Sequence, residues 1–250
     1  SWGQNGNQNI SSFQYLSTIS FENVSYPFGR DKNSITTGAF PDILPNPEVT
    51  WETSEQLDIG FDARFFGSKL SLSVDLYNKY TKDWLVNAPV LASYGTGAPF
   101  INGGDVRNQG IEVALGWRQE IGDFSYNIGG NVAYNKNVVT RIANTEGIIH
   151  GPSNVLSQGT TEMYRAEVGY PIGYFWGYKT DGLFQNVAEV NAYKGPDGEL
   201  ILPDAVPGDV RFLDLSGPEG TPDGKITEDD KTMIGDPHPD WTFGLTFNCN

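Results

Sequence analysis

EQLDIGFDARFFGSKLSLSVDLYNKY, residues 55–80, contains two runs in which apolar and polar side chains alternate. A period of two residues indicates a β-strand with two different faces. Residues 66–69 interrupt the alternation, so the stretch predicts two antiparallel strands joined by a tight turn. The apolar side chains are Leu57, Ile59, Phe61, Ala63 and Phe65 in the first run, and Leu70, Leu72, Val74, Leu76 and Tyr80 in the second.

Three more segments repeat this pattern: GIEVALGWR (residues 110–118), FSYNIGGNVAYN (124–135) and WTFGLTFN (241–248). In each segment one face is almost continuously apolar and the other is small and polar. A soluble β-sandwich gives this alternation by turning its polar face to water. A membrane β-barrel gives it by turning its apolar face to lipid and its polar face to a wet interior. The period alone leaves both architectures open.

The connections between these segments differ greatly in length. Tight turns are predicted at residues 66–69 and 121–123, whereas about two dozen residues separate the second strand from the third. About 100 residues separate the fourth segment from the last one, and a loop of that length would be unusual inside a compact soluble domain. Short turns at one end and long loops at the other are typical of outer-membrane barrels. Aromatic residues near the strand ends suit the two membrane interfaces.

Composition narrows the classes of function. The net charge of −15 argues against nucleic-acid binding and against general adsorption to an anionic membrane. Cys249 is the single cysteine, so no internal disulfide forms. No stretch is long and apolar enough for a transmembrane helix. The two histidines, His150 and His238, have no neighbouring cysteine and belong to no recognisable catalytic order, so we predict that the chain is not an enzyme.

Six motifs in the chain resemble those of a known protein family. They are NPEVTWE (residues 46–52), YNKYTKD (77–83), NGGDVRNQGIE (102–112), YPIGYFWGYKTDGLFQN (170–186), PGDVRFLDL (207–215) and PDGKITEDDKTMIGDPHPDWTFGL (222–245). In this order and spacing they resemble the C-terminal half of SusC/RagA-type TonB-dependent outer-membrane transporters. The resemblance covers almost the whole chain.

The resemblance implies an all-β fold, an antiparallel segment of a 22-stranded membrane β-barrel with long extracellular loops. It places residues 1–250 in the C-terminal part of that barrel, without the plug domain, and makes residues 139–239 one long extracellular loop region. We therefore expect a piece of a longer transporter in the outer membrane of a Gram-negative, Bacteroidetes-like cell.

The same resemblance implies partners. They are a SusD-like surface lipoprotein, the TonB complex, an oligosaccharide or peptide substrate, and the lipid bilayer. TonB would be engaged through the missing N-terminal part. The alternative is a soluble secreted β-sandwich that binds glycans with calcium.

DLSGPEGTPDGKITEDD, residues 214–230, resembles a calcium loop in its second half. An EF-hand loop places oxygen ligands at alternating positions around a glycine and ends on an acid. The candidate ligands are Asp214, Ser216, Asp223, Lys225 (through its carbonyl), Thr227 and Asp230. Residues 218–222 are an insertion that must bulge outward, and an aspartate replaces the usual final glutamate. The other interpretation is an acidic turn that binds no metal.

The long loop region is rich in aromatic residues. Tyr174, Phe175, Trp176, Tyr178 and Phe184 are candidates for contact with substrate or with the lid lipoprotein. Aromatic rings stack on the apolar faces of sugars and are favoured at protein interfaces. The alternative to sugar stacking is packing, either inside the long loop or against the lid lipoprotein, and we favour packing.

Overall fold

The computed structural model describes residues 1–10, 12–21, 25–28, 34–87, 92–153 and 155–249. The chain divides into two compact units. The first unit is Ser1–Gly147 with Asp240–Asn250, and the second is Ile148–Pro239. No helix among the described residues is long and apolar enough to cross a membrane.

Almost all the regular structure is β-strand. The first unit begins with β1 (Trp2–Asn7), β2 (Ile19–Ser20), β3 (Ser25–Phe28), β4 (Ser34–Thr37), β5 (Phe40–Pro41), β6 (Glu52–Phe65), β7 (Leu70–Asn87), β8 (Phe100–Ile121) and β9 (Phe124–Ile142). The second unit contains β10 (Ile148–His150), β11 (Tyr164–Glu167), β12 (Tyr174–Tyr178), β13 (Thr180–Leu183), α1 (Val187–Ala192), β14 (Val210–Phe212) and β15 (Lys231–Gly235). The chain then returns to the first unit as β16 (Trp241–Cys249), and short 3₁₀ turns lie at Ala92–Tyr94 and Glu228–Asp230.

Six strands of the first unit form one antiparallel sheet in the order β1-β6-β7-β8-β9-β16. Its register places the apolar residues of neighbouring strands opposite one another. One row across five strands is Phe61, Val74, Val113, Val132 and Phe243. The alternation predicted from sequence therefore becomes a continuous apolar face, which we call the apolar belt.

The opposite face is polar. The row Asp62, Ser73, Ala114, Asn131 and Gly244 lies on it, one residue away from the central apolar row. The register confirms that the apolar residues predicted to share a face do so, and that Asp58, Asp75, Glu112 and Asn127 lie on the other.

The apolar belt is exposed to an unusual degree. Phe61 is 60% exposed, Phe243 is 86% and Leu245 is 80%. Monomeric soluble proteins rarely leave contiguous apolar surface of this extent uncovered. The belt therefore needs an apolar environment, and the polar face does not.

The sheet differs from the sequence prediction in extent. β1 was not predicted, because WGQNGN is rich in glycine and amide side chains and does not alternate in polarity. β7 and β8 run past the predicted ends, so NGGDVRNQGIE lies inside β8 rather than before it. The connection between them is consequently residues 88–99, about half the predicted length.

The connections of the sheet are asymmetric, as predicted. The tight turns after β6 and β8 both lie at one end of the six-stranded sheet. Because the strands are antiparallel, the three long connections start and finish at the other end of the sheet. They are residues 8–51, 88–99 and 143–240. The turn after β6 uses positive φ at Phe66, Gly67 and Ser68, a tight reversal that rarely suits residues with a side chain.

The second unit has its own small core. A four-stranded sheet runs in the order β10-β11-β12-β15, and β13 pairs with β14. Its buried apolar side chains are Ala166, Tyr174, Phe184 and Val190. The unit spans most of residues 139–239, although β9 continues to Ile142, so the first residues of that region belong to the sheet. Assignment of the region as an extracellular loop stays a prediction.

The sidedness of the sheet can be tested with spin labels at Val74 and Asp75 in the full-length protein in lipid vesicles, with Cys249 replaced by serine. Val74 belongs to the apolar belt and Asp75 to the opposite face. We expect the label at Val74 to collide with oxygen dissolved in lipid and the label at Asp75 with a water-soluble nickel complex. The reverse pattern would contradict the assignment of the two faces.

Candidate functional site

Two aspartates, one at each end of residues 214–230, close this loop. Each carboxylate accepts hydrogen bonds from backbone N–H groups near the other aspartate or in the other half of the loop. The Asp214 carboxylate accepts hydrogen bonds from the backbone N–H of Asp223 at 3.2 Å and of Gly224 at 2.6 Å. The Asp230 carboxylate reaches back to the N–H of Leu215 at 2.7 Å and of Ser216 at 3.1 Å. We call this reciprocal arrangement the loop staple.

Asp230 is the more constrained of the two acids, because its side chain is fully buried. Its second oxygen also accepts from the N–H of Thr227 at 2.6 Å. Burial acts to raise the pKa of Asp230, but hydrogen bonds from the backbone of Thr227, Ser216 and Leu215 outweigh it and hold the pKa below its usual value. The buried carboxylate is therefore ionised and satisfied without a cation next to it.

Thr227 caps the short 3₁₀ turn Glu228–Asp230, and Thr227 and Asp230 form a capping box. The turn does not continue into Lys231 and Thr232, because β15 begins at Lys231 and pairs with β12. Strand pairing replaces the helical hydrogen bonds at this point.

The centre of the loop requires glycine. Gly224 has a φ of +84°, which disfavours any residue with a side chain. Its backbone also lies against Gly195, where an added Cβ would come within 2.6 Å of the Gly224 Cα. The PDG turn at residues 222–224 therefore packs backbone to backbone against a second PDG turn at residues 196–198.

The six candidate calcium ligands lie in one loop, but their oxygens serve the loop itself. The Asp223 carboxylate accepts from the N–H of Lys225 at 3.0 Å, and the inserted residues 218–222 are exposed. Among the residues that the structure describes, no three His, Cys, Asp or Glu side chains are grouped so that they could hold a metal ion. The calcium ligand set stays a prediction, and the hydrogen bonds of the staple do not require an ion.

The aromatic candidates fall into two groups by burial. Tyr174 is fully buried and Phe184 is 1% exposed, so neither has surface left for a ligand. Tyr170 stacks on Tyr174 at 4.9 Å between ring centroids. The Tyr174 hydroxyl donates to Glu167, and burial together with this carboxylate raises the pKa of Tyr174. Tyr174 and Phe184 are therefore packed inside the second unit.

Trp176 is covered by a cation. The Arg165 guanidinium lies 3.7 Å from the centre of the Trp176 ring and also pairs with Glu162. The same Glu162 carboxylate binds the Nδ1 atom of His150 at 2.9 Å. The ladder between β10 and β11 brings His150 opposite Arg165. This cluster was not predicted, since the pairing of two short strands has no signal in the sequence of either.

Tyr178 and Phe175 keep some exposed surface. Tyr178 packs edge-to-face on Phe212 at 5.7 Å, and its hydroxyl donates to Glu228 at 3.3 Å. Phe175 is 43% exposed and lies opposite Tyr164, which is 38% exposed. Phe175 and Tyr164 therefore form an exposed aromatic pair, and Phe175 is the predicted contact residue with the most accessible ring.

In the first unit, three of the sequence motifs meet at Asn102. Its side chain accepts from the N–H of Thr50 at 2.8 Å and donates to the carbonyls of Thr50 and Asp83, each at 2.9 Å. These residues come from NPEVTWE, YNKYTKD and NGGDVRNQGIE. The chain before β6 is thereby tied to β7 and β8.

An ion cluster lies beside Asn102. Arg141 binds both oxygens of Asp105, at 2.7 Å and 2.9 Å, and one oxygen of Asp83 at 2.6 Å. Asp83 has a φ of +54° at a bulge in β7, and its N–H donates to Asp105 at 2.9 Å. The bulge turns the backbone of Asp83 so that its N–H and its carboxylate both take part. No sequence spacing signals this geometry.

The staple can be tested by hydrogen exchange in the full-length protein. Asp230→Ala should remove the acceptor of three partly buried N–H groups, and the loss of each hydrogen bond should cost about 1 kcal/mol. We expect the amides of Leu215, Ser216 and Thr227 to exchange at least tenfold faster, while amides of β8 are unchanged. Unchanged exchange at all three would contradict the staple.

The same hydrogen-exchange measurement can be repeated at acidic pH and with added calcium. Because the folded pKa of Asp230 is lowered, its stabilising effect is present at neutral pH and is lost as pH falls below the ordinary aspartate value of 3.8. Protection that grows on addition of calcium would support the calcium ligand set. Protection that does not respond to calcium is the result expected from the staple alone.

Comparisons with known proteins agree with the antiparallel β-sheet architecture described above. The family model described as TonB dependent receptor-like, beta-barrel, matches residues 2–220. TonB-dependent receptor P3 of Formosa agariphila is 31% identical over 249 residues, which are 98% of this chain and 23% of that protein. TonB-dependent receptor SusC of Bacteroides thetaiotaomicron is 24% identical over 253 residues, 98% of this chain and 22% of SusC.

A solved structure of the RagAB peptide transporter superposes with a TM-score of 0.69 at 20% identity, over 100% of this chain and 24% of that one. At this level of identity the superposition shows the fold. The chain spans about a quarter of the length of the curated relatives it matches. The family model, the relatives and the sheet together show that this chain belongs to the β-barrel family of TonB-dependent receptors, as its resemblance to SusC/RagA-type transporters predicts.

Proposed function

We propose that this chain forms part of the barrel wall of an outer-membrane importer that takes up oligosaccharides or peptides and works with a SusD-like surface lipoprotein. The apolar belt on the six-stranded sheet carries the proposal. Import would be powered through the TonB complex, which would engage the part of the transporter outside this chain.

The edges of the sheet support a wall rather than a free-standing domain. An unpaired strand edge leaves backbone N–H and C=O groups without partners, and in lipid each such group costs several kcal/mol. β1 and β16 are the end strands of the sheet. Further strands of the transporter would pair with them and close the barrel, which removes every edge.

The polar face supports a wet or protein-filled interior. Asp58, Asp62, Asp75 and Glu112 lie on this face, together with serine and asparagine side chains. Ser73 donates to Asp62 at 2.7 Å and to Asp75 at 3.3 Å, so the acids sit in a hydrogen-bonded polar layer. Water, or a plug domain, would suit such a surface, whereas lipid would not.

The relatives support import of large nutrients. The RagAB structures are described as those of a peptide transporter and importer. SusC is named as a TonB-dependent receptor. For this chain the substrate class stays open between peptides and oligosaccharides, because the second unit would supply the contacts.

The alternative is a soluble, calcium-dependent glycan-binding sandwich. A sandwich would bury its apolar face against a second sheet. Across the described residues of the first unit, the central belt positions Leu115, Phe243 and Leu245 are at least 51% exposed. The exposure of the belt therefore favours the barrel wall.

Phe175 provides a test of the role of the second unit. We expect Phe175→Ala in the full-length transporter to weaken a contact with substrate or lipoprotein about tenfold, because exposed aromatic residues are frequent energetic centres of interfaces. Val187→Ala is the matched control, since Val187 is a 60% exposed apolar residue of the same unit. The measurements are uptake of labelled substrate by cells and co-purification of the lipoprotein.

The two readouts separate the two roles. Loss of co-purification would make Phe175 a lid contact, and loss of uptake with the lipoprotein retained would make it a substrate contact. If both readouts match the control variant, Phe175 has neither role. If the unaltered protein supports no uptake of either substrate class, the proposed function itself is wrong.

A further inference from the structure

The belt face changes character toward the end of the sheet from which the long connections leave. The last apolar row contains Ile59, Leu76, Ile111, Tyr134 and Trp241. Beyond it, on the same face, the strands carry Asn78, Tyr80 and Lys82 on β7, Arg107 and Gln109 on β8, and Lys136 on β9. Polar and charged side chains thus outnumber apolar ones, although Leu57 and Val138 also lie in this region.

Tyr134 and Trp241 mark the boundary. Their ring centroids are 4.8 Å apart, and Trp241 is 59% exposed. Tyrosine and tryptophan are enriched where hydrocarbon meets headgroups. Lys136 is two residues beyond Tyr134, about 7 Å along the strand, which places its ammonium in the headgroup layer.

Three cations lie on this face beyond the last apolar row, and they are Lys82, Arg107 and Lys136. Lys82 binds Glu55 at 2.9 Å, which neutralises both. Arg107 donates through Nε to the neutral Asn78 at 2.8 Å. In the part of the chain that the structure describes, neither Arg107 nor Lys136 has a carboxylate within ion-pair distance, and both are exposed.

Arg107 and Lys136 are neighbours. Lys136 pairs with Gln109 in the ladder, and Arg107 pairs with Val138, so Arg107 and Lys136 lie on a diagonal of adjacent strands. Diagonal neighbours are about 7–8 Å apart at Cα, within reach of two long side chains. The bond to Asn78 holds Arg107 while its two terminal nitrogens stay available.

We propose that Arg107 and Lys136 form a binding site for an anionic, phosphate-bearing lipid headgroup in the membrane leaflet at this end of the sheet. The inference rests on the proposed function, since it requires the apolar belt to face lipid. Arginine offers a planar fork for two phosphate oxygens, and lysine adds a point charge.

Charge supports this occupant over simple solvation. The chain has a net charge of −15, so its overall field repels anionic membranes. Arg107 and Lys136 lie directly beyond Trp241 and are exposed. They form a local region of positive charge on a chain whose net charge is negative. Basic side chains at this depth attract anionic headgroups locally, over roughly a Debye length of 8 Å.

The test compares lipid retention in the full-length transporter. The protein is purified from mixed micelles that contain phosphatidylglycerol and phosphatidylcholine, and retained lipids are counted by native mass spectrometry. Arg107→Gln with Lys136→Gln is the test variant. Arg64→Gln with Lys79→Gln is the control, since it removes the same charge from the opposite face of the sheet.

We expect the unaltered protein and the control to retain phosphatidylglycerol preferentially, and the test variant to bind it about thirtyfold more weakly, because each basic residue near an anionic surface strengthens binding about fivefold. Equal retention by the test variant would overturn the site. A loss of equal size in the control would also overturn it, because the effect would then be one of net charge.

Inorganic phosphate added at the lipid concentration distinguishes the source of the phosphate. It should not displace the retained lipid, and full displacement would overturn a lipid site. Substrate uptake is measured on the same variants. Failure of uptake in the unaltered protein would reject the proposed importer, whereas unchanged lipid retention in the test variant rejects only the headgroup site.

Discussion

The pairing register of the six-stranded sheet is the constraint on which the rest of the molecule depends. Side chains alternate between faces along a strand, so a slip of one residue in any strand exchanges its two faces. Such a slip in β7 would place Asp75 in the row of Phe61 and Val113. A charge at that position in lipid is expensive, so the apolar rows themselves select the register.

The register also determines what the long connections do. It brings the ends of β7, β8 and β9 together, where Trp84, Val106 and Val139 are buried. Asn102 then ties the incoming chain to β7 and β8, and the ion pairs of Arg141 tie β9 to the same two strands. The second unit holds its own shape through small sheets and the loop staple. The sheet is specified by a repeated alternation of apolar and polar side chains, whereas the loops are specified by individual hydrogen bonds.

The sequence predicts the wall well because period two is a local signal that each strand carries by itself. It fails for β1, whose glycine and amide side chains do not alternate, and for the outer ends of β7 and β8, where a bulge interrupts the alternation of apolar and polar side chains. The sequence of residues 214–230 does not separate a calcium loop from the loop staple, because aspartates that bind backbone N–H groups and aspartates that bind calcium can flank a PDG turn in the same way. Arg165 on Trp176 depends on strand pairing, which no local pattern encodes.

The claim that one face of the sheet meets lipid is tested most directly by moving a single charge between adjacent residues. Val113 lies at the centre of the apolar belt, and Ala114 lies on the opposite face. Val113→Arg in the full-length protein should lower the free energy of unfolding from vesicles by about 2–4 kcal/mol, and Ala114→Arg by less than about 1 kcal/mol. Equal losses, or a larger loss for Ala114→Arg, would contradict the account.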